Sequence, residues 1–206
     1  SITTDEAGRV DVGAGEVNLE GESATFNDPV LLRSDLTVNE AGSGDIEFVS
    51  TVDSEDGSNH DLTVNTQEGA TIFGGEVGGD ALAGQSDDDG LGSVHTNAAG
   101  STQINGGLVT TTGAQTYEDP VTLGANTTVN TDDGAVRFLN TVDATVDEAQ
   151  TLDVNTNSGS VEFDGAVGGD ADDEDDTRLG GVTISNGGLL TMTNNSSFSL
   201  TGAFAR

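Results

Sequence analysis

Gly113-Ala-Gln-Thr-Tyr117-Glu-Asp-Pro120-Val-Thr-Leu123, followed by Leu152-Asp-Val-Asn155, decides how this chain is read, because nearly every landmark in it has an earlier twin. Phe26-Asn-Asp-Pro29-Val-Leu-Leu32 answers Tyr117-Glu-Asp-Pro120-Val-Thr-Leu123 at an offset of 120 − 29 = 91. Phe48, Leu62, Phe73 and Val77 answer Phe138, Leu152, Phe163 and Val167 at an offset of 90, as Gly78-Gly79-Asp80 answers Gly168-Gly169-Asp170. Self-similarity at a fixed period marks an array of structural repeats.

A shorter period is nested in the long one. Leu36-Thr-Val-Asn39 recurs as Leu62-Thr-Val-Asn65 at an offset of 62 − 36 = 26, and Thr128-Val129-Asn130 recurs as Asp153-Val154-Asn155 at 153 − 128 = 25. Each unit of roughly 25 residues holds three short alternating segments rich in Val, Ile and Thr, separated by Gly, Asn and Asp. Three strands per unit, with units stacked on one another, predict an all-β chain folded as a parallel β-solenoid (β-helix) that rises about 4.8 Å per coil. The third coil of each long repeat is longer and carries the insertions. No stretch shows helical periodicity, and Pro29 and Pro120 argue against a helix.

The reading is of one continuous solenoid over 1–206. It comprises a partial repeat over about 1–22, full repeats over about 23–112 and 113–200, and a partial one over 201–206. Residues 1–22 look like the tail of a preceding repeat and 199–206 like the lead into another. The expectation is either a slice of a longer chain or a subunit that stacks head to tail with copies of itself. Ser1 opens no secretory leader, as in a mature chain or a fragment. The inward set expected from alternation is Leu36, Val38, Phe48, Val52, Leu62, Val64, Phe73 and Val77, joined by Leu152, Val154, Phe163 and Val167. Asn39, Asn65, Asn130 and Asn155 suit corners, either as a hydrogen-bonded ladder or as plain turn residues facing water.

Composition narrows the function. The chain carries 37 Asp and Glu against 5 basic residues, all Arg, for a formal charge of −32. That excess nearly excludes nucleic acid, whose phosphates need a basic stripe. It also points to a salty, halophilic or cation-rich setting, because unscreened carboxylates repel. A chain only 33% hydrophobic would also suit disorder, but disorder does not keep apolar residues at matched offsets. There is no Cys for disulfide or thiol chemistry, and no apolar run of membrane-spanning length.

The acidic runs Asp87, Asp88, Asp89 and Asp170, Asp172, Asp173, Asp175, Asp176 occupy the same insertion in the two long repeats. Hard oxygen donors on a loop suit Ca²⁺ or other cations, although neither run has the ordered spacing of a known calcium loop. The competing reading is a solvated charged loop, and no cofactor is required. His60 and His95 stand alone and read as turn residues rather than catalysts. Gly74-Gly-Glu-Val-Gly-Gly79 lacks the Lys and helix of a phosphate loop and reads as a solenoid corner. Sequons stand at Asn126, Asn194 and Asn195. The pairs Thr110 and Thr112, and Thr191 and Thr193, form short Thr-x-Thr faces.

The phrase from Val109 to Leu123, with Val136-Arg-Phe138-Leu-Asn-Thr-Val142, Leu152-Asp-Val154 and Phe163-Asp-Gly165-Ala-Val167-Gly168, resembles the tandem repeat of large bacterial surface proteins of the filamentous-haemagglutinin and adhesin type. The first copy departs from it, with Glu22-Ser-Ala-Thr-Phe26 where Gly-Ala-Gln-Thr-Tyr is expected. The resemblance implies an extracellular or cell-surface β-helical fibre or stalk without catalytic residues. Its expected partners are further copies of itself or a larger parent chain. The alternatives are an adhesin module that grips surface glycans or cations and, further off, a polysaccharide-active β-helix enzyme.

Overall fold

Strands of two to five residues, many of them flanked by Gly, Asn or Asp, bury their alternate apolar side chains by stacking on the next coil. The computed structural model describes all residues except 6, 7, 14, 80–89, 147, 148, 170–177, 186, 194–196, 199 and 201. Among the described residues every regular element is a strand, and every pairing is parallel. The strands form three sheets that run along one axis.

Sheet I stacks Ile2–Thr3, Ala24–Phe26, Ile46–Phe48, Ala70–Phe73, Ser101–Ile104, Val121–Leu123 and Val142–Ala144. Sheet II stacks Glu16–Leu19, Leu36–Glu40, Leu62–Asn65, Val94–Thr96, Gln115–Tyr117, Val136–Phe138, Val161–Phe163 and Leu190–Met192. Sheet III begins with Val10–Val12, Val30–Leu32 and Val52–Ser54. It continues through Val77, which bridges Val52 on one side and Val109 on the other, into Leu108–Thr111, Thr127–Thr131, Thr151–Asn155, Gly181–Ser185 and Phe204–Ala205. The chain visits the sheets in the order I, III, II and then climbs.

Coil length is not constant. Ala24, Ile46, Thr71, Thr102, Val121 and Val142 lie one above the next. Successive coils therefore step by 46 − 24 = 22, 71 − 46 = 25, 102 − 71 = 31, 121 − 102 = 19 and 142 − 121 = 21. The expected step from Leu36 to Leu62 is a real coil, as is that from Thr128 to Asp153, but theirs are not the only sizes. The longest coil of the series, from Thr71 to Thr102, holds the insertion of the first long repeat, as the sequence suggests.

The whole expected inward set is buried, as are most other inward strand positions, while Ile2, Val10, Val12, Val17 and Leu190 toward the two ends are partly buried. Aromatic rings stack along the axis. Phe26, Phe48 and Phe73 follow one another at 5.1 and 5.8 Å, and Tyr117, Phe138 and Phe163 at 5.1 and 5.3 Å. The two stacks are sequence twins, yet the first lies in sheet I and the second in sheet II. Eleven strand positions, counting Val77, separate Phe26 from Tyr117, which is three coils and two thirds. Each long repeat therefore turns its landmarks onto a different face of the triangle.

Stacking continues through the joint between the long repeats without a break. Leu108–Thr111 pairs in register with Thr127–Thr131, and Val94 pairs with Gln115.

Candidate functional site

Polar groups brought inside or into a concavity are the places where this scaffold does something other than stack. The first is the Asp-Pro corner. Pro120 holds the residue before it in an extended conformation, and the Asp119 side chain turns inward, where it is 1% exposed. Two buried hydroxyls meet it. Thr96 Oγ1 donates to Oδ1 at 2.8 Å, and Thr102 Oγ1 lies 3.0 Å from Oδ1 and 2.9 Å from Oδ2. Thr96 ends a strand of sheet II and Thr102 lies in the next strand of sheet I, so the carboxyl ties two sheets and two coils together. Burial pushes Asp119 up to about 6, against the opposing pull of the Thr96 and Thr102 hydrogen bonds and of nearby His95.

The same motif in the first repeat is furnished differently. Asp28 is also buried, but its Oδ1 has no hydrogen-bond partner among the described residues. The position of Thr102 is taken there by Val10, which pairs with Val30 as Thr102 pairs with Val121. The Thr4 hydroxyl accepts from the Asn27 and Asp28 backbone N–H groups.

A second feature is a polar groove of about 310 Å³ on the outer side of sheet III, lined by Gly90, Thr110, Thr112, Asn130, Asp132 and Asn157. Thr110 and Asn130 are register partners. Asn157 adopts a left-handed φ of 49°, and its Nδ2 donates to Asp132 Oδ1 at 3.0 Å. Hydroxyl, amide and carboxylate groups here can bind a polar ligand, with no apolar platform to grip a ring. Of the two Thr-x-Thr pairs, Thr110 and Thr112 join this groove. Thr193 Oγ1 instead donates to Asp164 Oδ1.

The Asn residues read as corners lie within or at the ends of strands, with outward side chains. Asn65 Nδ2 donates to Asn39 Oδ1 and Asn39 Nδ2 to Asn18 Oδ1, both at 2.8 Å, so the ladder forms along a sheet face. In-register parallel stacking puts like side chains one above the next, and that suffices without a left-handed backbone. Gly74–Gly79, read as a single corner, instead holds turns on either side of the Val77 bridge in sheet III, with Gly78 in the left-handed region.

The proposed cation ligands Asp87, Asp88, Asp89, Asp170, Asp172, Asp173, Asp175 and Asp176 lie outside the described residues, as do Asn194 and Asn195. Among the described residues no three His, Cys, Asp or Glu side chains gather as a metal site. Asn126 is exposed, and its Oδ1 accepts from the Thr151 N–H. His60 Nδ1 lies 3.6 Å from Asp35 and His95 Nε2 3.2 Å from Glu118, on separate strands or corners with no shared centre. No described helix is long and apolar enough to cross a membrane.

Sequence reasoning treats Asp119 and Gln115 only as repeat landmarks. The available signal is an Asp before Pro at the same place in both repeats, at a point where alternation calls for an inward side chain. No family model, curated protein or solved structure matches the chain.

Proposed function

We propose that this chain is a non-catalytic structural segment of an extracellular fibre or stalk, of the kind found in cell-surface adhesins. The observation that carries the reading is the uninterrupted register through the joint at 112/113, where one long repeat becomes the next with no change of axis. A scaffold in which each repeat is the platform for the following one extends by repetition, whether further repeats come from the same chain or from a second copy. The acidic flanks oppose lateral clumping and favour linear growth.

Electron microscopy and diffraction of the native surface material test this. With eleven strand positions per long repeat, the fibre should show a strand spacing of about 4.8 Å and a long-repeat rise of roughly 18 Å, returning to the same face after three repeats at about 53 Å. A discrete particle without axial periodicity would overturn the reading. A second reading, an adhesin module gripping neutral glycans, draws support from the Thr–Asn–Asp groove. It requires glycan binding that Asp132→Ala weakens in an otherwise unchanged solenoid.

A further inference from the structure

The Asp119 carboxyl is held by two side-chain hydroxyls and its own backbone N–H and, among the described residues, is bonded to no cation. The charged and titratable groups on the strands around it are all otherwise engaged. His95 is 3.2 Å from Glu118, Arg137 Nε donates to Glu162 at 2.7 Å, and Asp143 accepts from the Gly169 N–H at 2.7 Å. Tyr117 is fully buried and donates its hydroxyl proton to Gln115 Oε1 at 2.9 Å. Ser101–Ile104 and Val121–Leu123 bring no ionisable group. An ionised Asp119 is thus a buried charge whose donors are two hydroxyls and its own backbone N–H, with no cation bonded to it among the described residues.

The geometry suits the neutral acid as well. Thr102 Oγ1 lies within hydrogen-bond reach of both carboxyl oxygens, so it can accept from one while Thr96 donates to the other.

We propose that the Asp119 corner is a proton-loaded staple: after taking one proton from solvent, Asp119 donates to Thr102 and accepts from Thr96, and loss of that proton weakens the joint between sheets II and I. Burial pushes the Asp119 carboxyl from the usual 3.8 up to about 6, so the folded chain binds this proton more tightly than the unfolded one. The stabilisation is fully present below the unfolded value and is lost as pH rises through about 6. The joint is therefore strongest in a mildly acidic medium. Asp28, without the second hydroxyl, cannot close the same pair of bonds.

The test is a carboxyl ¹³C titration of Asp119 in the intact chain, with thermal melts of wild type, Asp119→Asn and His95→Gln from pH 5 to 8. The Asn amide imitates the protonated acid, donating to Thr102 and accepting from Thr96 at every pH. The expected carboxyl midpoint lies above 5. Wild type should lose several degrees more than Asp119→Asn across the range, and His95→Gln, which removes an opposing pull on Asp119, should lose at least as much as wild type. Acidification also relieves the general repulsion, but it does so in all three proteins, so the difference isolates Asp119. A midpoint below 4.5, or parallel wild-type and Asp119→Asn curves, would overturn the proposal. Should Asp119→Asn fail to fold, the wild-type midpoint decides alone.

Discussion

Gln115 occupies an inward strand position that alternation ordinarily reserves for an apolar side chain, and it survives there because its polar atoms are satisfied. Its Nε2 reaches the Asn130 carbonyl at 2.8 Å and, at 3.2 Å each, the Val109 carbonyl and Thr111 Oγ1. Its Oε1 accepts from the Tyr117 hydroxyl at 2.9 Å. Burial pushes that phenol far above its ordinary value, so it stays a donor. Tyr117→Phe keeps the ring stack on Phe138 but strands Gln115 Oε1, and should cost about 1–3 kcal/mol in chemical denaturation. Gln115→Leu should cost a similar amount. Because the two changes break the same bond, the double variant should lose clearly less than the sum. Strict additivity would mean that the hydroxyl and amide do not cooperate. Position alone could not reveal this network: Gln115 stands two places before Tyr117 in a phrase that reads as a repeat landmark, and the carbonyls it satisfies belong to two strands of another sheet.

Corners decide what each coil can be made of. Thr111, Thr131 and Thr156 each donate a hydroxyl hydrogen bond to the carbonyl of Gly113, Gly134 or Gly159, at 2.7–2.8 Å. These corners stack so closely that a Cβ on Gly134 would run into the Gly113 carbonyl, and one on Gly159 into that of Gly134. Backbone cannot retreat there without breaking the ladder. Gly134→Ala should therefore cost about 2 kcal/mol or more. Gly13, whose added Cβ meets nothing within 4 Å, is the control, and Gly13→Ala should change stability by less than about 1 kcal/mol. Equal effects of the two substitutions would sink the stacked-corner account.

The strands, the inward set and the parallel stacking were legible in the sequence, since Phe48 and Phe73 do pair in register as their matched contexts imply. The two-thirds turn between long repeats was not. It depends on counting Val30–Leu32 and its like as full strands, and on coils as short as the one from Thr102 to Val121, whereas sequence similarity measures residues and not strand positions. The Asp119 staple was hidden for a related reason, because Thr96 and Thr102 reach it from different sheets.

The charge of the whole molecule is distributed so that the sheets carry little of the strain. Among the register pairs of the described strands, no carboxylate stands directly opposite another. Asp11 faces Leu31, Glu47 lies between Thr25 and Ile72, and Asp153 between Thr128 and Thr183. Opposite charges meet along the axis in Asp11–Arg33–Glu55 and Arg137–Glu162, whereas at a corner Asp61 stacks on Asp35 and donates its N–H to the Asp35 carboxylate. Most of a formal −32 is left to the corners and to the acidic insertions. Coils repeat every ~4.8 Å, well inside the screening length of about 10 Å at 0.1 M salt but beyond the roughly 3 Å reached at 1 M. Repulsion between neighbouring coils should therefore weaken sharply over that range. The melting temperature should rise by roughly 5 °C or more between 20 mM and 1 M NaCl, since a gain of 1 kcal/mol moves a chain of this size by about 2–4 °C. The comparison of CaCl₂ with MgCl₂ at equal ionic strength then separates screening from binding. A Ca²⁺ increment beyond that of Mg²⁺ would assign a site-specific role to the acidic insertions, and equal increments would leave them as solvated charge. A melting temperature indifferent to NaCl would show that the unpaired carboxylates are already far enough apart, and the link between acidity and a salty environment would fall.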